Sequence, residues 1–68
     1  MIRTFILRTQ DADKEVARKP YMTCKQAVLG FRREAHNHLG DHPEFVTQKD
    51  AMFGGYWRNA KGDVLEMR

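Results

Sequence analysis

Cysteine is all but missing from this sequence: one residue, Cys24, stands in a chain of 68. No internal disulfide can therefore form. A domain of this size buries only about 60% of the surface its unfolded chain exposes, and small scaffolds usually add disulfides, a structural metal or self-association. A lone thiol fits a reducing compartment. Long apolar runs are missing too: no window approaches the roughly 18 apolar residues that span a bilayer. Met1-Ile2-Arg3-Thr4-Phe5 has neither the apolar stretch nor the small-residue cleavage site of a signal peptide. These absences predict a cytoplasmic protein that is neither secreted nor membrane-inserted. Repeats, low-complexity tracts and linkers do not occur, so residues 1–68 are expected to form one domain. Starting at its own methionine, the chain reads as a complete small gene product, a class that binds or regulates more often than it catalyses.

A large charge of one sign is lacking as well. Lysine and arginine number 12 against 9 acidic residues, for a net charge of +3. That balance permits nucleic-acid binding without pointing to it. With 41% hydrophobic residues the chain has material for a core, and a folded domain rather than a disordered chain is expected.

The apolar residues that are present fall into short elements. Ile2 to Thr9 reads as a strand, with Phe5 and Leu7 on one face and Ile2 and Ile6 on the other. Apolar residues on both faces predict an interior, two-sided place in a sheet. After the polar turn around Asp11 and Asp13, Glu15 to Met22 is either an edge strand that tolerates Pro20 or an ordered loop. Thr23 with Gln26 has the capping-box form. The apolar stripe Cys24, Ala27, Val28, Phe31, Ala35 and Leu39 then follows a 3.6-residue period. Gly40 and Pro43 end that helix, expected over Cys24 to Leu39. Three more strands are expected over Glu44 to Lys49, Ala51 to Arg58 and Asp63 to Met67. The last two are joined by Asn59-Ala60-Lys61-Gly62, a type I turn with Gly62 in the left-handed position. Gly54-Gly55 marks a bulge or a close backbone approach. The fold class is thus α+β: a small antiparallel sheet in ββαβββ or βαβββ order, with one amphipathic helix packed across it.

None of the catalytic templates fits. Cys24 heads a helix, where a thiol is activated, but a nucleophile needs a base within reach. His36 lies roughly 18 Å along the axis at about 1.5 Å per residue. A buried structural thiol on the apolar face is expected instead. His36, His38 and His42 suggest a metal, yet His36 and His38 diverge by about 200° on a helix, and no second cysteine completes a zinc set. His38 is expected at the core edge beside Leu39, and His36 on the surface. Asp11, Asp13 and Glu15 share a solvated turn without an apolar pocket. Gly54-Gly55 lacks the lysine and helix of a phosphate loop. The expectation is a protein without a catalytic site, metal or other cofactor.

The basic residues are more informative. Lys25, Arg32 and His36 share one helix side with Leu29, and Arg33 lies further round with Gln26 and Asn37. Tyr56 and Trp57 must point to opposite sheet faces. Trp57 is the core candidate, and Tyr56 with Arg58 the surface one. The candidate partner-binding set is Lys25, Leu29, Arg32, Arg33, His36, Tyr56, Arg58 and Lys61, with Arg18 and Lys19 as further basic contacts.

A short N-terminal strand (Phe5-Ile6-Leu7), one amphipathic helix (Thr23 to Leu39) and a C-terminal hairpin (Tyr56 to Asp63) together resemble small phage- and mobile-element-encoded inhibitors. Among these are anti-CRISPR proteins of the type I-F class. The resemblance lies in architecture and size and spans most of the chain. It implies a protein that binds a host nucleoprotein machine in the bacterial cytoplasm and inhibits it. Three readings stand side by side. One is an inhibitor or regulator docking a protein or nucleoprotein complex through the basic helix side and hairpin. Another is a nucleic-acid-binding domain using the same charges. The last is a subunit that pairs with itself through a sheet edge or Leu29, so that monomer and homodimer both stay open.

Overall fold

The computed structural model describes residues 1–68. In chain order it contains β1 (Ile2–Arg8), β2 (Asp13–Pro20), α1 (Cys24–Leu39), β3 (Glu44–Thr47), β4 (Gly55–Arg58) and β5 (Val64–Met67). The strands form one antiparallel sheet in the order β2-β1-β5-β4-β3. This is the expected α+β fold in ββαβββ order; of Glu15 to Met22, the part up to Pro20 lies in an edge strand that starts earlier, at Asp13, while Tyr21 and Met22 follow it. α1 connects the two edge strands, so it must cross the whole sheet. At about 1.5 Å per residue it is roughly 24 Å long, enough to span five strands about 4.8 Å apart. It touches the three interior strands, β1, β4 and β5.

The helix begins and ends where its caps require. The Thr23 hydroxyl accepts from the Gln26 amide at 3.1 Å. The Gln26 side-chain oxygen reaches back to the Met22 amide, one residue further than a standard capping box. At the other end Gly40 adopts a φ of 96°, a conformation that favours glycine. An orphan C-terminal carbonyl, that of Leu39, accepts from Nδ2 of Asn59 in the β4–β5 turn at 3.3 Å. That turn has Gly62 at a φ of 89°, in the left-handed position the sequence predicts.

The core consists of Phe5, Leu65 and Met67 from the sheet and Ala27, Phe31, Ala35 and Leu39 from α1. Phe5 pairs with Met67 and Leu7 with Leu65, which aligns one face of β1 and β5 under the helix. A bulge between Phe5 and Ile6 leaves Val16 unpaired, and both Val16 and Ala17 pack toward the core. The second face of β1 differs from expectation: no layer covers it, and Ile2 is 65% exposed.

Three further expectations are corrected. Cys24 is exposed, not a buried thiol, because the first helix residue to reach the core is Ala27. Val28, placed in the buried stripe, is 54% exposed, whereas Gly30 and Glu34 are buried. The helix is thus rolled toward β2. Gly30 permits this roll, since a Cβ there would land on the Tyr21 hydroxyl. Residues 51–54, expected as strand, form a turn closed by Gln48 N–H donating to the Gly54 carbonyl at 2.8 Å. Gly55 meets the backbone as anticipated: a Cβ would strike the Val46 carbonyl.

Candidate functional site: the outer side of the helix

Charge is distributed very unevenly over α1. Its one carboxylate, Glu34, is only 3% exposed. It binds Lys19 of β2 at 3.0 Å and His38, one helical turn on, at 3.1 Å. Burial pushes the Glu34 carboxyl up, but hydrogen bonds and charge from Lys19 and then His38 outweigh it. The net effect holds this group below the ordinary glutamate value. The neighbouring Tyr21 hydroxyl is raised, chiefly by burial and then by the Glu34 charge. With Glu34 turned inward, the exposed charges of the helix are Lys25, Arg32 and Arg33. None of the three lies within ion-pair distance of a carboxylate.

Beside these cations runs an apolar groove of about 290 Å³ between α1 and the β3–β4 hairpin, lined by Val28, Leu29, Arg32, Phe45, Phe53 and Trp57. Leu29 is 57% exposed and Phe45 39%. Phe45 pairs with Trp57 across the two strands, which puts both rings on the helix side. The rings meet edge-on at 5.3 Å. His36 lies beside Trp57 with ring centroids 6.3 Å apart, so a cationic helix side and an aromatic wall share one border.

The structure brings together five of the sequence candidates and separates the others. Lys25, Leu29, Arg32, Arg33 and His36 are all exposed on α1. Tyr56 and Arg58 lie away from them. Trp57 faces the helix, so alternation turns Tyr56 and Arg58 to the outer sheet face, where Arg58 pairs with Glu44 at 3.4 Å. Arg18 is on that outer face as well, paired with Glu15 at 2.8 Å. Lys19 is on the helix side but engaged by Glu34. Lys61 is exposed in the β4–β5 turn, which docks on the C-terminus of α1 through Asn59. Sequence reasoning did not place Phe45 and Trp57 beside the basic helix side. Their alternation was readable, but the pairing of β3 with β4 that aligns them was not.

His36 and His38 diverge, one toward Trp57 and the other onto Glu34. Nowhere do three histidine, cysteine or carboxylate side chains converge as a metal would require. No helix is long and apolar enough to cross a membrane. Comparison with protein-family models, curated proteins and solved structures returned no match.

Proposed function

We propose that this chain is a non-enzymatic binding protein, an inhibitor or regulator that docks an acidic protein or nucleoprotein partner through the outer side of α1. What supports this is the inward turn of Glu34, which leaves Lys25, Arg32 and Arg33 as an unneutralised cationic strip along an open apolar groove. Arginine beside exposed aromatic and aliphatic side chains is the chemistry of interface hot spots. Phosphate binding alone would use the same cations through counterion release, but it has no use for Val28, Leu29 and Phe45. The groove therefore favours a protein contact over a purely nucleic-acid one. An inhibitor of a host machine, as the resemblance to small phage-encoded proteins implies, is the most specific form of this reading.

The test is a tagged pull-down from bacterial lysate treated with nuclease and washed at moderate salt, repeated with the double variant Arg32→Glu/Arg33→Glu. A stoichiometric protein retained by the native chain and lost by the variant is the expected outcome, with the circular dichroism of the two proteins unchanged. Capture of nucleic acid alone, removed by nuclease, would transfer the function to the nucleic-acid reading. Equal retention of the protein by the variant would remove α1 from the interface.

A further inference from the structure

A second cavity, of about 490 Å³, lies elsewhere, where β4 and β5 part company. Pairing of these strands stops at Trp57 with Leu65. Beyond that point Tyr56 and Gly55 pair only with β3, and Glu66 and Met67 only with β1. The opening falls within the roughly 300–1,000 Å³ range of small-molecule sites. Its walls mix apolar Ala51, Met52, Phe53 and Met67 with polar Gln48 and Tyr56.

One side chain there is unaccounted for. Arg3 is half-buried and lies over the Phe53 ring, its guanidinium carbon 4.7 Å from the centroid. No carboxylate is within ion-pair distance of it. Its Nε is buried without a hydrogen-bond partner, and one Nη donates at 2.9 Å to the Met1 sulfur, a weak acceptor. A partly desolvated cation normally has an anion beside it. Lys19, on the same sheet face, has Glu34. The cleft holds one carboxylate, Glu66, but that group already accepts from Arg8 at 2.8 Å and from Arg68, also a cleft residue, at 3.5 Å.

The geometry points to a binding site for a small organic oxyanion, a carboxylate or phosphate group carried on a flat apolar body. Arg3 receives the oxyanion. Its guanidinium is planar and is held against Phe53; with Nε buried and one Nη on the Met1 sulfur, the other Nη is left to donate to an oxygen. Gln48, which also lines the cleft, offers a further donor, and Met52, Phe53 and Met67 receive the apolar body. This site is separate from the helix groove and stands or falls independently of it.

The test is a ¹H–¹⁵N NMR titration of the full chain at low salt with four probes: benzoate, phenyl phosphate, inorganic phosphate and neutral benzamide. Benzoate or phenyl phosphate should shift the amides of Phe53, Gly55 and Met67 saturably, and the tighter of the two names the oxyanion. Arg3→Met keeps an apolar stem over Phe53 and should weaken that binding about tenfold or more, as loss of a charge-assisted hydrogen bond does. Arg3→Lys keeps the charge without the planar group over Phe53 and should fall between, which secures the comparison if the methionine variant folds poorly. Absence of saturable shifts with both aromatic anions would overturn the site. So would benzamide binding as well as benzoate, inorganic phosphate matching phenyl phosphate, or undiminished binding by both variants.

Discussion

The two faces of this protein handle charge in opposite ways. On the outer sheet face, arginines are met by carboxylates on the same or an adjoining strand: Arg8 by Asp13 and Glu66, Arg18 by Glu15, Arg58 by Glu44, and Arg68 by Glu66. That face neutralises itself. On the helix face the single carboxylate of α1 points inward, and Lys25, Arg32 and Arg33 are left without a counter-charge. Counting basic residues therefore misleads here, because a net charge of +3 says nothing of where it is unopposed. A face that satisfies its own charges has little to offer an acidic partner, whereas one that does not retains that attraction for association.

The largest effect should come from removing the helix that creates the difference. Phe31 is the buried aromatic residue of α1 and meets Phe5 of the sheet with ring centroids 6.0 Å apart. Phe31→Ala should cost about 3–5 kcal/mol, a large part of the roughly 3–10 kcal/mol available to a chain this short. Urea unfolding should show a largely unfolded variant. The matched truncation on the uncovered face, Ile6→Ala, should cost only about 1 kcal/mol, as the half-buried Ile6 has no second layer over it. Equal losses from the two truncations would mean that the outer face is covered after all.

Next in size is the effect of charge reversal on the helix face. Arg32→Glu/Arg33→Glu should leave stability within about 0.5 kcal/mol per site, as surface substitutions do. It should reduce partner affinity about tenfold or more, which corresponds to roughly 1.4 kcal/mol. Calorimetric binding at two salt concentrations sharpens this. A phosphate-led interface loses affinity steeply between about 50 and 200 mM salt, while one with an apolar groove loses less.

A smaller effect concerns acid. Glu34 titrates below its ordinary value of 4.5 in the folded chain. Its contribution to stability is therefore complete above that value and is lost as pH falls through the lower folded one. Melting temperature followed from pH 7 into the acid range should drop through this window in the native chain. In Glu34→Gln the drop should be shallower. An identical acid profile in both proteins would show that the Lys19–Glu34–His38 cluster contributes nothing to the linkage.

Much of the fold was legible because it rests on local chemistry. The α1 boundaries follow from Thr23 and Gly40, the last turn from Gly62, and the facing of Trp57 from alternation. What failed depends on partners distant in sequence. Val28 and Cys24 have the apolar character of a buried stripe, yet the helix is rolled so that Gly30 and Glu34 face inward instead. Tyr21 and Lys19 on the β2 side receive them, and no helical period contains that information. Residues 51–54 looked like strand because Phe53 is aromatic and apolar. Phe53 does pack against the core, but from a turn whose Gly54 has a φ of 85°. For the candidate site, exposure of the helix cations was readable and their lack of counter-charges was not. Tyr56, Arg58 and Arg18 shared their composition but belong to the opposite face.

The smallest expected effect tests the self-neutralised face directly. Arg58 pairs with Glu44 at 3.4 Å, both side chains being well exposed, a geometry worth about 0–1 kcal/mol. Arg58→Gln should thus shift the urea midpoint only slightly and leave partner binding unchanged, although it removes the same unit of charge as Arg32→Gln. If net charge alone attracted the partner, both substitutions would weaken binding equally. If unopposed charge on the helix side does so, only Arg32→Gln has an effect. Arg58→Gln leaves Glu44 uncompensated on the far face, so any change it makes in affinity would be long-range and should disappear in salt above about 0.15 M, where screening acts within roughly 8 Å. A salt-resistant loss of binding in Arg58→Gln would place the sheet's outer face in the interface and dissolve the distinction between the two faces.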